Sequence, residues 1–290
     1  MKRRARKKLL ILFIVPALLG ALALAAFYRG LTSSRVEVSS AKLKSGESIR
    51  AVLLTDLHSY VYEPRQEPLI RRVKELQPDV IFLSGDMADD RNPFAGMALL
   101  LDGIAHLAPC YYVTGSHDYW SGDISNIKNA IADYGVIVLE GQTTELMVRG
   151  QRLMISGIDD PCMAPARPGE WEDDAYRRAL NASFDDLDHA SYNILVAHRP
   201  DFIGEYGELG FDLVLSGHTH GGQVRIPFLL NGLYAPNQGY FPRYAGGLYD
   251  VNGTKLVVSR GLSYYPELPR IFNPPEIVLL ELKGMGEEPS

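Results

Sequence analysis

Five short polar blocks, each directly after an apolar run, limit what this chain can fold into. The runs are rich in Val, Ile and Leu and have the length of buried β-strands. They cover residues 51–55, 80–84, 111–114, 194–197 and 213–216. The blocks are Asp56-Leu57-His58, Gly85-Asp86, Gly115-Ser116-His117-Asp118, Ala197-His198 and Gly217-His218-Thr219-His220. Because α/β sheets bind ligands beyond the carboxyl ends of their strands, the pattern predicts one shared site.

The side chains in these blocks indicate a metal centre. Any one block could be an ordinary turn, but five of them at five strand ends indicate a common role. The candidate ligands are two carboxylates, four imidazoles and one hydroxyl: Asp56, Asp86, His58, His198, His218, His220 and Ser116. A set without sulfur suits Mn, Zn or Fe, and it has too many nitrogens for a calcium site. Since one ion does not need seven groups, we expect two divalent metal ions.

The order of the predicted elements indicates an α/β fold. Helical segments are predicted at 66–76, 94–107, 124–134 and 171–187. The first three alternate with strands, which is a βαβ pattern. Further strands are predicted at 35–40, 136–139, 144–149, 151–156, 255–259 and 277–282. From residue 136 onward, turns rather than helices separate the strands, which predicts a second sheet with antiparallel pairing.

The N-terminal segment is predicted to be a membrane anchor. Residues 9–27 are 19 consecutive uncharged positions, and a helix of that length spans about 28 Å, close to the hydrocarbon thickness of a bilayer. The basic residues within 1–8 should stay in the cytoplasm and place the rest of the chain outside it. A signal peptide whose cleavage releases a secreted protein is the alternative.

The rest of the chain is acidic and is predicted to form one domain. Six of the 29 basic residues lie in the first eight positions, which leaves 23 against 35 acidic residues and argues against nucleic-acid binding. We expect a tether over 28–34, one domain over 35–283 and a flexible tail over 284–290. Cys110 and Cys162 are the only cysteines, so one disulfide is the most that this chain can form within itself.

These blocks, in this order, resemble the signature of the calcineurin-like metallophosphoesterase superfamily: Asp-x-His, Gly-Asp, Gly-Asn-His-Asp/Glu, a lone His and Gly-His-x-His. The segments 216–223 and 259–261 are similar to the membrane-anchored bacterial phosphodiesterase branch. The resemblance covers about Val36 to Leu282. It implies a four-layer α/β/β/α sandwich of two mixed sheets. With the predicted transmembrane helix in front, the catalytic domain would lie outside the bacterial inner membrane.

The resemblance also implies a role for each candidate residue. It assigns Asp56, His58 and His220 to the first metal, His198 and His218 to the second, and Asp86 to both. The implied activity is hydrolysis of a phosphodiester or pyrophosphate bond by a metal-bound hydroxide. His117 would stabilise the transition state or protonate the leaving group, oriented by Asp118, because imidazole titrates near neutral pH.

An apolar loop after the last block bears on the substrate. It contains Phe228, Leu229, Leu230, Leu233, Tyr234, Tyr240, Phe241 and Tyr244. We expect these side chains to pack as a cap or small core. The alternative is that some face the bilayer and admit a lipid-linked phosphoester. Four other polar residues are expected at the surface, namely His106, His189, Asp89 and Asp90.

One position departs from the family pattern. Ser116 stands where the family carries an Asn whose amide oxygen binds the second metal. A hydroxyl is shorter and reaches less far, so the second ion should be bound through a water molecule or held more weakly. The departure also supports a rival function, a domain that binds a phosphorylated ligand with weakened catalysis. The intact His117-Asp118 pair favours an enzyme.

We therefore predict that Ser116→Asn raises the affinity of the second metal, since the longer amide side chain places an oxygen where the family has one. Metal titration of the unmutated and substituted proteins measures the change. Two equally tight ions in the unmutated protein would contradict the prediction.

Overall fold

Two six-stranded sheets form the centre of the structure, a computed structural model that describes residues 2–46, 48–89, 94–264 and 269–285. Within these ranges the α-helices are α1 Lys2–Ala26, α2 Glu67–Glu75, α3 Ala95–Ile104, α4 Ser116–Trp120, α5 Ile124–Asp133, α6 Glu172–Phe184 and α7 Ile203–Glu208. The strands are β1 Thr32–Ser40, β2 Ile49–Leu54, β3 Val80–Ser84, β4 Cys110–Val113, β5 Ile137–Val138, β6 Gln142–Val148, β7 Gln151–Gly157, β8 Tyr192–Val196, β9 Leu213–Ser216, β10 Tyr234–Ala235, β11 Gly239–Tyr240, β12 Gly247–Val251, β13 Thr254–Val258 and β14 Glu276–Gly284.

Both sheets are mixed and mostly parallel. The first has the order β1-β14-β2-β3-β4-β5, and its antiparallel pair is β14 with β2. The second has the order β12-β13-β9-β8-β7-β6, with an antiparallel pair at each edge. Strands β10 and β11 form a separate antiparallel ribbon. Parallel neighbours bring the carboxyl ends of several strands to one edge of each sheet.

Three apolar clusters show how the layers pack. Along a strand, successive side chains point to opposite faces. In β2, Leu53 lies in the cluster between the two sheets, whereas Val52 packs with α2, α3 and α5. In β9, Leu215 lies in the same inter-sheet cluster, whereas Val214 packs with α6 and α7. The result is the expected sandwich of helices, sheet, sheet and helices.

The strand predicted over 136–139 does not belong to the second sheet, which corrects the sequence-based assignment. As β5 it pairs in parallel with β4 at the edge of the first sheet, and the second sheet begins with β6. The intervening α5 is the crossover that returns the chain in the parallel direction. Local pattern identifies the strand, but long-range pairing decides its sheet. The strand predicted over 35–40 is confirmed as β1, which lies at the edge of the first sheet and begins at Thr32, inside the predicted tether.

The N-terminal helix α1 contains most of the segment predicted as an anchor. Several of its apolar side chains lie in solvent, with Phe13 69%, Leu18 63% and Leu24 78% exposed. At the end of α1, the Ala26 carbonyl accepts a 2.7 Å hydrogen bond from the Phe272 N–H. In the part of the chain that the structure describes, no helix is both long and apolar enough to cross a membrane.

The apolar loop does not pack as a cap throughout, contrary to the expectation. Phe228, Leu229, Tyr240 and Phe241 are the most exposed of its large side chains, at 111%, 81%, 73% and 69%. Tyr244 alone among the loop's aromatic residues is buried. Polar bonds hold the loop closed, including two between the Gln238 amide and the backbone of Tyr244, at 2.9 and 3.1 Å. The loop therefore keeps its shape without burying these rings.

The structure also bears on the expectations for the cysteines and for two of the remaining histidines. Cys110 and Cys162 are both free, and Cys110 is buried in β4. His106 and His189 are exposed, as expected. Asp90 and residues 286–290 of the predicted tail lie outside the described residues.

Candidate metal centre

Strand ends from both sheets bring the candidate ligands to one place. In the first sheet β2 leads to Asp56 and His58, β3 to Asp86, and β4 to Ser116 and His117; in the second, β8 leads to His198 and β9 to His218 and His220. All of these residues except His117 are buried. The apolar cluster between the sheets holds the two groups of strand ends side by side.

Five of the candidate ligands have a backbone conformation that residues other than glycine rarely adopt. The φ angle is positive at Asp56 (52°), His58 (48°), Asp86 (53°), His218 (70°) and His220 (48°). This left-handed region costs a non-glycine residue about 1 kcal/mol or more. Backbone hydrogen bonds hold it, such as the 2.9 Å bond from the His58 N–H to the Asp86 carbonyl. Strain concentrated in this way is typical of functional sites.

Two glycines allow the blocks to approach each other closely. A β-carbon at Gly217 would collide with Thr55 and with the carboxylate of Asp56, and one at Gly115 would collide with the carboxylate of Asp86. The Thr55 hydroxyl donates a 2.7 Å hydrogen bond to the Asp56 carboxylate. The glycines in these motifs are therefore needed for space beside the carboxylates.

The side chains form overlapping groups with the dimensions of metal sites. In each group, one ligand atom per residue lies within 4.8 Å of the others; the groups are Asp56-His58-His220, His58-Asp86-His117 and Asp86-His198-His218. Metal–ligand bonds of about 2.0–2.2 Å require such separations between ligands of one ion. Because His58 and Asp86 each occur in two groups, the outer two groups are adjacent. The residues present fit one ion in each.

The contact between His198 and Asp86 calls for a cation. The Nδ1 atom of His198 lies 2.7 Å from the Ser84 carbonyl and donates to it. In the neutral ring, Nε2 therefore carries a lone pair, and it lies 3.1 Å from an Asp86 carboxylate oxygen. Burial opposes a charge on this ring, yet the Asp86 carboxylate raises the pKa of His198 to about 10. Either a proton or a metal ion must stand between the two lone pairs, and the donor set suits a metal.

The other three histidines of the ligand groups are neutral at pH 7, because burial lowers their pKa values. Burial lowers the pKa of His58 to about 3 and that of His218 to about 4, and it lowers the pKa of His220 well below the usual value. Neutral imidazole is the form that coordinates metals. Burial also raises the pKa of Asp56 to about 6. A bound cation would favour its ionised form.

Asp118 organises the turn that presents Asp86. Its carboxylate accepts hydrogen bonds from the N–H groups of Asp86 (2.8 Å), Ala88 (2.7 Å) and Gly115 (2.8 Å). Burial raises the pKa of this carboxyl to about 7, and the charge of Asp86 adds to the effect. The motif does not reveal this backbone role. The orientation of His117 by Asp118 stays a prediction.

A cavity of about 250 Å³ opens onto the second group of ligands. Its lining includes Asp86, Ser116, His117, His218 and His220 together with residues that the sequence did not single out: Trp120, Glu172, Arg199, Pro236 and Asn237. The His117 ring lies 4.6 Å from that of His58 and 5.0 Å from that of Trp120, measured between centroids. The cavity is large enough for a phosphoryl group beside these residues.

Asn237 is the most informative of the residues that sequence reasoning missed. Its Oδ1 atom lies 2.7 Å from Nε2 of His218 and accepts a hydrogen bond from it. The Nδ1 lone pair of His218 is thereby left to face the other ligands. The sequence signal was weak, because Pro236-Asn237-Gln238-Gly239 is typical of a surface turn.

One acidic residue is placed differently from the expectation. Asp89 was expected in solvent, but it is buried, with a carboxylate oxygen 3.9 Å from Nδ1 of His58. Asp89 therefore lies next to His58 of the first group of ligands. Its position results from the fold of the 85–89 turn, which sequence pattern does not determine.

The comparisons with known proteins match the part of the chain that contains the candidate ligands. The family model for calcineurin-like phosphoesterases matches residues 49–222. An uncharacterized metallophosphoesterase of Campylobacter jejuni is 32% identical over 255 residues, which cover 86% of this chain and 62% of the relative. Another uncharacterized metallophosphoesterase, from Bacillus subtilis, is 26% identical over 308 residues, which cover 98% of this chain and 99% of the relative. A transmembrane protein with metallophosphoesterase domain from Danio rerio is 29% identical over 266 residues, covering 86% and 56%. The chain thus spans less than two thirds of the length of the first and third.

We predict that Asn237→Ala weakens binding at the second metal site about 10- to 100-fold, because His218 loses the partner that fixes its tautomer and ring orientation. Competition with a chelator measures the affinity. The matched control is Asn126→Ala, since Asn126 is exposed and bonds to Asp123. Equal affinity in the two variants would show that Asn237 has no such role.

Proposed function

Because the chain belongs to the calcineurin-like phosphoesterase family, we propose that it is a dinuclear metal-dependent phosphoesterase that hydrolyses a phosphodiester or pyrophosphate bond. The observation that carries this proposal is the pair of adjacent ligand groups, Asp56-His58-His220 and Asp86-His198-His218, with His117 beside both. A protein that uses metal only to fold has no need of a fifth histidine, His117, in the lining of a cavity. The two groups together suit Mn, Zn or Fe.

Each residue of the centre has a part in the proposed reaction. Asp56, His58 and His220 would hold the first ion, His198 and His218 would hold the second, and Asp86 would contribute to both. Two ions bound there supply a hydroxide nucleophile at neutral pH and neutralise phosphoryl oxygens. The buried carboxylates compensate the positive charge, and the neutral imidazoles complete the coordination without adding charge.

His117 acts on the leaving group in this proposal. Its backbone N–H donates a 2.8 Å hydrogen bond to the Asp86 carboxylate, which fixes the start of α4 against the metal centre. Its ring lies between those of His58 and Trp120 and lines the cavity. From there an imidazolium can stabilise the transition state or protonate the departing oxygen.

Ser116 is the position on which the rival function depends. It is buried at the start of α4 and lines the cavity, which supports a place near the second ion. If its hydroxyl held that ion too weakly for turnover, the domain would bind phosphorylated ligands and release them unchanged. The complete set of six Asp and His ligands favours turnover.

We expect the protein to hydrolyse bis-p-nitrophenyl phosphate with Mn²⁺. Asp86→Ala should abolish turnover and reduce the bound metal, since it removes the ligand common to both ions. His117→Ala should keep the metal and lose about 10²- to 10⁴-fold in rate, as expected for a general acid. His106→Ala is the control, because His106 is exposed. Tight phosphate binding without turnover of a monoester, a diester or a pyrophosphate would support the rival function.

A location at the outer face of the bacterial inner membrane is a second part of the proposal. The uncharged segment 9–27 supports an anchor, with secretion after signal cleavage as the alternative. The exposed Phe228 and Leu229 line the same cavity as Phe272, whose N–H bonds to the end of α1. Exposed apolar surface in two adjoining elements is typical of a membrane-facing side. The name of the Danio rerio relative agrees with a membrane protein. A lipid-linked phosphoester could reach the site from that side.

Removal of residues 1–27 should release the protein from membranes and slow hydrolysis of a phosphoester embedded in vesicles. The reason is that the anchor raises the local concentration of enzyme at the lipid surface. Sedimentation and vesicle assays measure the two effects. The rate on bis-p-nitrophenyl phosphate should stay unchanged as a control. Equal rates of the full and shortened chains on the vesicle substrate would contradict the lipid-linked assignment.

A further inference from the structure

Arg270 is a buried cation whose hydrogen-bonding capacity is largely unused. Arg270 is only 8% exposed. The Nε and Nη2 atoms have no hydrogen-bond partner among the described residues, and Nη1 makes a long contact of 3.5 Å with the Asn273 carbonyl. A buried guanidinium is strongly destabilising unless its donors are satisfied and its charge is compensated. This arginine therefore requires a partner that the described residues of the protein do not supply.

Hydrogen bonds connect the segment around Arg270 to the turn that contains the candidate ligand His220. Ile271 exchanges backbone hydrogen bonds with the chain after His220, donating to Gln223 (3.1 Å) and accepting from Arg225 (2.9 Å). The Asn273 amide nitrogen donates to the His220 carbonyl at 2.7 Å. These bonds on one side of Arg270 fix it beside the first group of ligands.

The electrostatic surroundings place the guanidinium near the first metal group. Burial lowers the pKa of Arg270 to about 10, and Asp56 is the group that most opposes this shift. The side chain is therefore charged at neutral pH. Its charge also contributes to the lowered pKa values of His58 and His220. When Asp56 is committed to a metal ion, its negative charge no longer compensates the arginine.

The free atoms of Arg270 form the edge that recognises oxyanions. Nε and Nη2 present parallel N–H groups, the fork that binds two oxygens of a phosphate or carboxylate. Arg199 provides the comparison within the same protein. Its Nε and Nη2 atoms bond the two carboxylate oxygens of Asp160, at 3.1 and 2.8 Å. The fork of Arg199 is thus occupied by Asp160, whereas that of Arg270 is buried and has no hydrogen-bond partner among the described residues.

We propose that Arg270 binds an anionic phosphoryl oxygen of the substrate beside the first metal. The proposal rests on the phosphoesterase function and adds to it a residue that recognises the substrate. It explains why this cation is buried with no carboxylate of the described residues hydrogen-bonded to it: the substrate supplies the second negative charge. Bound phosphate and the metal ions together satisfy the fork and the charges of Asp56 and Asp86.

The test measures binding of inorganic phosphate to the full chain loaded with Mn²⁺, by calorimetry and without turnover. Arg270→Gln should weaken binding about 10- to 100-fold, the usual effect of losing a charged hydrogen-bonded pair. Arg270→Lys should give a smaller loss, because a lysine keeps the charge without the fork. Metal content should stay the same in both variants. Arg225→Lys is the control, since Arg225 is partly buried and bonds to Asn231 in the apolar loop.

Unchanged phosphate affinity in metal-loaded Arg270→Gln would overturn the proposal. If that variant fails to fold or to hold metal, Arg270→Lys decides in the same way. Imidodiphosphate, which resists hydrolysis, separates two sources of the phosphoryl oxygen. A larger loss for it than for phosphate assigns Arg270 to a second phosphoryl group, and equal losses assign it to the reacting one. Phosphate binding that depends on Arg270 in a protein without turnover would sink the proposed function and leave this inference standing.

Discussion

Two buried carboxylates, Asp56 and Asp86, impose the constraint on which the rest of the structure depends. Neither is more than 1% exposed, and an ionised carboxylate without a counter-charge costs several kcal/mol to bury. The fold surrounds them with four histidines, three of which burial keeps neutral, with backbone N–H groups and with glycines that leave room at the carboxylate oxygens. The left-handed backbone at five ligands is the strain that this arrangement carries. Bound cations would compensate both the charge and the strain.

Neither sheet contains a complete site. The first sheet supplies both carboxylates, with His58 and His117, and the second supplies the other three histidines. The distance between the two sets is fixed by the apolar core between the sheets, where Leu53 and Leu215 belong to one cluster. Packing far from the ligands therefore sets the spacing within each ligand group. Coordination and stability are coupled through that core.

The sequence predicted the parts of the site that are local and missed those that depend on distant contacts. A ligand at the end of a strand is recognisable because the apolar run and the polar block are adjacent in sequence. Asn237 and Arg270 lie in loops that are brought to the site by pairing with remote segments, so no local pattern distinguishes them from surface residues. The same reason explains β5, whose partner strand was misassigned, and Asp89, whose turn buries it.

The position of β14 has a consequence for how the protein is made. This strand lies between β1 and β2, although residues 276–284 follow them by more than two hundred positions in the chain. During synthesis, the first sheet cannot reach its native strand order until β14 has left the ribosome. The strand that leads to Asp56 and His58 therefore waits for its neighbour. Completion of the first sheet, and with it of the strand ends that lead to Asp56 and Asp86, is therefore a late event in the biosynthesis of the molecule.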